Sequence, residues 1–356
     1  MYNTKISSAS HDYHLSFVSD AFEEVRRISR ESPCAVLVDK NVYDLYEDRV
    51  SAADLPAPVI EVDSSEKEKE YSAVSGWIES LIKKGFRRDH TIITIGGGVL
   101  QDLSGFIAAT IYRGVRWIYV PTTLLSQADS CIGSKVSINL GDRKNTLGLF
   151  YPPHQIYVDP GLLGSLPPCE FKSGVGEIIK FNLMCSQTYE DTRAISTTLQ
   201  DKNVPSKEME RIIRNCLSIK RSYFEDDEFD KGRRNLCNYG HCFGHALESA
   251  SGFTIPHGQA VLVGILVADE ISFNRGLISA EVQEYNRACS TAFVPDATKV
   301  RAIDIEEVAR YMYWDKKRTG KDLAMVLYEG HGRISVYQDV TSREVNAAAQ
   351  TIWETL

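Results

Sequence analysis

The sequence predicts an α/β domain followed by a mostly helical one. Three observations carry this. Short apolar, β-rich runs alternate with helical stretches over roughly the first 150 residues. One of those runs ends in three consecutive glycines, Gly96, Gly97 and Gly98. From about Pro160 the periodicity turns helical and stays so until two late strand signals. Strands alternating with helices imply a parallel sheet covered on both faces. Ligands of such sheets bind beyond the carboxyl ends of the strands.

In order, FEEVRRIS (22–29) reads as a helix, CAVLVD (34–39) as a strand and PVIEVD (58–63) as a second strand. YSAVSGWIESLIKK (71–84) is helical, TIITIGGG (91–98) is a strand running into a glycine turn, and WIYV (117–120) is another strand. The later helices are expected at 170–184, 207–224, 244–251, 258–276, 280–290 and 303–317, with strands at 323–329 and 333–339. The boundary falls near YPPHQIYVDP, giving domains 1–157 and 158–356. No internal repeat or low-complexity segment is visible.

The 356 residues are 43% hydrophobic and 25% charged, the composition of an ordinary globular protein. A net charge of -8 argues against a nucleic-acid footprint, which would want a basic face. No run of about 18 apolar residues suggests a membrane span. The eight cysteines are scattered and form no C-x-x-C pair, which predicts reduced thiols in a cytoplasmic enzyme.

Four stretches carry chemistry. GGGVLQD, from Gly96 to Asp102, follows an apolar run, and glycines there let a backbone approach a phosphate ahead of a helix. Gln101 stands where the third glycine of a G-x-G-x-x-G fingerprint would be, so a plain tight turn explains the stretch equally well. The stretch 126–153 holds Asp129, Lys135, Asn139, Arg143, Lys144 and Asn145 among small residues. Lysines there suit a phosphate, although an isolated lysine is usually just solvated. GVGEIIK sets Glu177 and Lys180 three apart among apolar neighbours, which points Glu177 inward. The last stretch, 220–259, offers Lys220, Arg234, Asn238, His241, His245 and His257. An upstream glutamate with clustered histidines fits a metal with three protein ligands and one open position. Chemistry alone leaves the ligands open among Glu177, His241, His245, His257 and Glu248.

Together these stretches resemble the 3-dehydroquinate synthase family of sugar-phosphate cyclases. The resemblance runs over roughly residues 64–320, through SSEKEK, GGGVLQDLSGF, YRGVRWIYVPTTLL, ADSCIGSK, RKN, FYPP, LPPCEFKSGVGEIIK, RRNLCNYGHCFGH, PHGQAV and WDKK in order. It implies a Rossmann-like NAD-binding α/β domain and a helical metal-binding domain, with the active site in the cleft between them. It implies one zinc or cobalt ion on Glu177, His241 and His257, with His245 handling a proton or touching substrate. Asp39, Glu66, Lys69, Gly97, Gly98, Val99, Asp102, Thr122, Thr123, Lys144, Leu162 and Ser165 would contact the nucleotide. Arg113, Lys135, Asn145, Asn238 and Lys316 or Lys317 would contact substrate phosphate, Arg113 from the second subunit of a homodimer. Asp129 and Lys180 would meet ring hydroxyls, and Lys220 with Arg234 a carboxylate.

The implied reaction belongs to aromatic amino acid biosynthesis by the shikimate pathway. It converts 3-deoxy-D-arabino-heptulosonate 7-phosphate to 3-dehydroquinate by transient oxidation, phosphate elimination, reduction, ring opening and aldol closure. Several positions depart from the family pattern. Gly-Gly-Lys is Gly133-Ser134-Lys135, Gly-Glu-Lys is Ser65-Glu66-Lys67, the glutamate after His-Gly is Gln259, and the alanine before the metal glutamate is Gly176. The rival readings are a cyclase for an amino analogue or for sedoheptulose 7-phosphate, and a metal-dependent polyol dehydrogenase of the glycerol-dehydrogenase type. A non-catalytic nucleotide-binding relic is the remaining class. Retention of both Lys220 and Arg234 favours a carboxylated substrate.

Overall fold

The computed structural model describes residues 3–51, 55–141, 143–313 and 323–356. Lys316 and Lys317 lie outside the described residues. The chain forms two compact units, Met1–Leu166 and Pro167–Leu356. The division falls later than the 157/158 boundary read from sequence. Strand Gln155–Val158 and the short helix Pro160–Ser165 behind it belong to the first unit, because Leu162 is buried in that unit's core.

The first unit is a seven-stranded sheet of β1 (Asn3–Ile6), β2 (Tyr13–Phe17), β3 (Cys34–Asp39), β4 (Val59–Val62), β5 (Thr91–Gly96), β6 (Trp117–Pro121) and β9 (Gln155–Val158). A separate two-stranded ladder pairs β7 (Lys135–Leu140) with β8 (Arg143–Phe150). The strand order in the sheet is β1-β2-β9-β6-β5-β3-β4, with only the β1–β2 pair antiparallel. β3 and β5 are buried along their whole length, which is why they read as unbroken apolar runs rather than alternating ones. Its helices are α1 (Ala21–Glu31), α2 (Lys40–Leu45), α3 (Glu47–Val50), α4 (Tyr71–Lys83) and α5 (Gly98–Thr110). The parallel sheet expected from the alternating pattern is present.

The second unit contains α6 (Pro168–Leu183), α7 (Thr192–Leu199), α8 (Ser206–Phe224), α9 (His241–Ala250), α10 (His257–Asn274), α11 (Ala280–Ser290), α12 (Ala297–Arg301), α13 (Ile305–Tyr313) and α14 (Ser342–Thr355). A hairpin of β10 (Leu323–Gly330) and β11 (Arg333–Val340) completes it. No helix among the described residues is long and apolar enough to cross a membrane.

α10 is the spine of this unit: its residues from Gly258 to Asp269 are all buried. It is apolar all round, as a helix enclosed on every side must be. Neighbouring backbones come unusually close to it. A Cβ on Gly176 of α6 would lie 2.2 Å from the Gly258 carbonyl oxygen, and one on Gly258 would lie 1.8 Å from the Ser173 carbonyl oxygen. The α9 side repeats this at Gly264, where a Cβ would fall 1.9 Å from the Gly240 carbonyl oxygen. Only glycine permits such crossings. They fix which residues come next: Glu177 follows Gly176, His257 precedes Gly258 and His241 follows Gly240.

Candidate active site

The first unit gathers its chemistry at one sheet edge. Val38 pairs with Ile95, and Gly96 with Pro121, so the carboxyl ends of β3, β5 and β6 lie side by side. Asp39, Gly97, Gly98, Thr122 and Thr123 therefore share that edge. Chain order reverses between β3 and β5, since β4 lies outside β3 while β6 lies outside β5. Such a switch point opens the crevice where α/β sheets bind ligands. Gly97 caps α5 without a side-chain bond, and Val99 follows in the first turn, so the leading amides of α5 face a place suited to an anion. Asp39 turns Oδ1 to the amides of Asn41 and Val42, at 2.7 and 3.2 Å.

A polar cluster adjoins α5. Lys69 is 4% exposed, and its ammonium lies 2.8 Å from both Asp102 Oδ2 and Asn145 Oδ1 and 3.6 Å from Glu66 Oε1. Burial opposes its charge, but Asp102 and Glu66 outweigh that and raise its pKa above the ordinary lysine value. Glu66 also accepts from Asn139 at 2.9 Å and lies 3.7 Å from Lys144. Asn145, expected against substrate phosphate, thus sits directly among the expected nucleotide contacts. Its backbone is left-handed, at φ 49°, and Ser137 Oγ donates to its Oδ1 at 2.9 Å.

Leu162 and Ser165 lie on the turn after β9. Leu162 is in the core and can offer a ligand only its backbone, while Ser165 Oγ is 3.1 Å from both Tyr46 Oη and the Leu162 carbonyl. Asp129 lies in the short helix Ser126–Ser130 and is half-buried; Lys135 opens β7 and is exposed. Arg113 is exposed on a turn where Tyr112 and Arg113 are both left-handed, at φ 52° and 68°. Two such residues in succession are strained, a feature that concentrates at functional sites.

The second unit builds a histidine cluster around one carboxylate. Glu177 on α6 is fully buried, and its Oε1 lies 3.5 Å from His241 Nε2 and 3.4 Å from His257 Nε2. Lys180 pairs with its Oε2, while no hydrogen bond satisfies Oε1. Burial alone would raise this carboxyl, but Lys180 and His257 hold it at about 2, so it is ionised. Burial, with Lys180, His245 and His257, keeps His241 well below the ordinary histidine value. Burial opposes charge on His257 too, yet Glu248 and Glu177 push it up to about 10.

The outer nitrogens of both rings are engaged. His241 Nδ1 is 3.1 Å from the Tyr239 carbonyl, which can only accept, so Nδ1 carries the hydrogen and Nε2 keeps its lone pair. His257 Nδ1 is 2.9 Å from Glu248 Oε2. Both rings therefore present Nε2 toward Glu177. A buried ionised carboxylate whose Oε1 lacks a hydrogen bond and faces two oriented imidazole nitrogens suits a divalent transition ion. His245 is exposed on the same face of α9, its ring centre 5.2 Å from that of His241 and 5.4 Å from that of His257. Ligand atoms of the three histidines all lie within 4.8 Å of one another.

Glu248 thus holds the His257 ring by its outer nitrogen. Replacing such a partner lowers metal affinity about 10- to 100-fold. Glu248→Gln should show that loss in a chelator competition, and unchanged affinity would refute the assignment.

Behind His241, Tyr239 Oη donates to Asp269, which also accepts from Asn286 at 2.9 Å. Burial pushes the Asp269 carboxyl up to about 7, against those two hydrogen bonds. A carboxyl with a raised folded pKa stabilises below its ordinary range and loses that contribution as pH rises toward the folded value. Unfolding free energy should therefore fall between about pH 4 and 7, by up to about 1.4 kcal/mol per pH unit from this group. Asp269→Asn should remove that slope in urea melts. A slope unchanged by the substitution would assign it elsewhere.

Lys220 lies on α8, which packs against the short helix Arg233–Asn238 that bears Arg234 and Asn238. Arg234 is 6% exposed; its amide donates to Asp227 Oδ2 at 2.9 Å and its guanidinium lies 5.5 Å above Phe224. A buried guanidinium held this way suits recognition of a carboxylate.

Sequence models of the 3-dehydroquinate synthase N-terminal and C-terminal domains match residues 59–173 and 174–318. The chain belongs to the 3-dehydroquinate synthase family. It is 35% identical over 321 residues to the 3-dehydroquinate synthase of Dichelobacter nodosus, covering 88% of this chain and 85% of that protein. It is 31% identical over 353 residues to the 3-dehydroquinate synthase of Desulforamulus reducens, covering 96% and 98%. The fold is similar to a crystal structure of 2-deoxy-scyllo-inosose synthase complexed with carbaglucose-6-phosphate, NAD+ and Co2+. That likeness has a TM-score of 0.84 at 24% identity, over 98% of this chain and 100% of the other.

Within the family, the departures at Gly176 and Gln259 have structural counterparts. Gly176 faces the Gly258 carbonyl, where a Cβ has no room, and Gln259 donates to the Cys169 carbonyl at 3.1 Å, a bond a glutamate could not make when ionised. Sequence reasoning missed the roles of Glu248 and of the Tyr239 carbonyl. Glu248 stands seven residues after His241, two turns along the same helix face, and that spacing was the available signal.

Proposed function

We propose that this chain is a carbon–oxygen lyase acting on a phosphate: it cyclises 3-deoxy-D-arabino-heptulosonate 7-phosphate to 3-dehydroquinate with loss of phosphate, using NAD and one zinc or cobalt ion. The observation that carries the reading is the buried Glu177 carboxylate, whose Oε1 faces His241 and His257 without a hydrogen bond of its own. The relatives named 3-dehydroquinate synthase point to the product. When bound, NAD takes and returns one hydride, and the metal polarises the hydroxyl that is oxidised.

The chain's own residues then have distinct tasks. Glu177, His241 and His257 hold the ion, and Lys180 keeps Glu177 ionised. The α5 amides, Asp39 and the Glu66–Lys69–Asp102 cluster hold the nucleotide. Arg113, Lys135 and Lys316 or Lys317 neutralise the phosphate, which makes it a better leaving group, and Asn238 donates a hydrogen bond to it. Asp129 meets a ring hydroxyl. Lys220 and Arg234 bind the carboxylate, a contact that a sugar phosphate without one would leave empty. His245, exposed beside the ligand cluster, is placed to pass a proton to or from substrate. Most of the rate enhancement would come from positioning and fixed charge. We place the enzyme in the cytoplasm as a homodimer in which Arg113 serves the neighbouring subunit.

The test is phosphate release by metal-reconstituted protein with catalytic NAD, offering 3-deoxy-D-arabino-heptulosonate 7-phosphate or sedoheptulose 7-phosphate. Release from the first, with 3-dehydroquinate formed, is expected. Release from the second alone would overturn the substrate assignment and the role given to Lys220 and Arg234.

A further inference from the structure

The loop before Lys135 is unusual. Gly133 and Ser134 are both left-handed, at φ 104° and 61°. Glycine adopts this region freely, whereas a serine there is strained by its Cβ. Ser134 is also buried, at 7% exposure. Something must hold the turn in place.

Besides the bond from the Lys135 amide to the Gly133 carbonyl at 2.8 Å, contacts from outside the turn clamp it. The Gly133 amide donates to Tyr13 Oη at 3.1 Å, and the Tyr151 amide donates to the Ser134 carbonyl at 2.7 Å. Tyr13 is 1% exposed and opens β2, which is locked into the seven-stranded sheet by β1 on one side and β9 on the other. Its hydroxyl is thus carried by a strand paired on both sides. Lys135, the next residue, begins β7 and is exposed.

We propose that Tyr13 is a positioning residue for Lys135: its hydroxyl holds the Gly133–Ser134 turn in the left-handed form and so fixes the backbone from which Lys135 reaches the substrate phosphate. The inference rests on the proposed phosphate contact of Lys135. It gives the N-terminal strand pair a part in substrate binding through a residue that touches no substrate. It also relates two features, since the strain at Ser134 is what makes the brace necessary.

The test compares Tyr13→Phe, Ser134→Gly, the double variant and Lys135→Ala. KM and kcat for the phosphorylated substrate, the affinity for NAD and the thermal midpoint are measured for each. Loss of one buried hydrogen bond predicts that Tyr13→Phe raises KM about three- to tenfold, with kcat and NAD affinity unchanged. Ser134→Gly alone should stay near the parent KM. Adding it to Tyr13→Phe should restore most of the loss, because glycine holds the turn without help. A merely structural role for Tyr13 would lower the thermal midpoint without this split and without rescue. The proposal is overturned if Lys135→Ala raises KM while Tyr13→Phe leaves it unchanged, or if Tyr13→Phe costs the same with serine or glycine at 134. If Lys135→Ala leaves KM unmoved, the phosphate role of Lys135 fails, and the inference fails with it.

Discussion

Glu177→Gln is expected to lower affinity for zinc or cobalt by about a hundredfold or more, beyond what removal of an orienting partner costs. The substitution keeps the shape and removes the charge. It takes away the anion of the donor set and leaves Lys180, itself 2% exposed, buried beside a neutral amide. Leaving a buried charge unpaired is costly, so the variant should also unfold at lower denaturant. Lys180→Met in the same chain should recover stability without recovering the metal. Loss of the ion's several kcal/mol of charge stabilisation should depress kcat/KM about a thousandfold. Chelator competition separates the two effects. Metal affinity within tenfold of the parent would remove Glu177 from the ligand set.

Gly258→Ala should be the most damaging single-methyl change in the second unit. Its Cβ would lie 1.8 Å from the Ser173 carbonyl oxygen and 2.8 Å from that carbonyl carbon, both rigid backbone atoms. α6 and α10 would have to separate, at a cost of about 1–3 kcal/mol or more. Separation there also draws His257 away from Glu177, so metal affinity should fall with stability. Gly76→Ala is the matching control: it lies within α4, and nothing stands within 4 Å of the added methyl. Alanine in a helix is favoured over glycine by about 0.5–1 kcal/mol, so that variant should gain slightly. A Gly258→Ala protein with parental urea midpoint and metal affinity would mean that the crossing does not set the site.

Much of the fold was legible because the signals were local. Residues 34–39 form a strand with the bounds the apolar run suggested, and 71–84 forms α4 but for its last residue. The stretch 126–153 was less legible. Its glycines, serines and asparagines break any alternation, so no strand is read there. It folds as the β7–β8 ladder, with Lys135 opposite Phe150, because α5 gives it a surface to pack on. β2 was invisible for a similar reason, since its pairing with β9 joins residues some 140 positions apart, and β1 is held only through β2.

The metal question shows the same limit. His241 and His245 are four apart on one helix face, so spacing cannot rank them. The carboxylate that faces His241 comes from α6, across a glycine crossing that one sequence does not reveal. Glu248 was visible as a carboxylate near histidines, but only its contact with the outer nitrogen of His257 shows that it orients a ring.

NAD should be recycled within each turnover. The direct measurement is the number of phosphates released per NAD when the nucleotide is held well below the concentration of 3-deoxy-D-arabino-heptulosonate 7-phosphate, with absorbance of the reduced cofactor followed alongside. Many phosphates per NAD, 3-dehydroquinate in equal amount, and no growing NADH signal are expected. NADH rising in step with product, or release stopping at one phosphate per NAD, would contradict this recycling and point to a dehydrogenase.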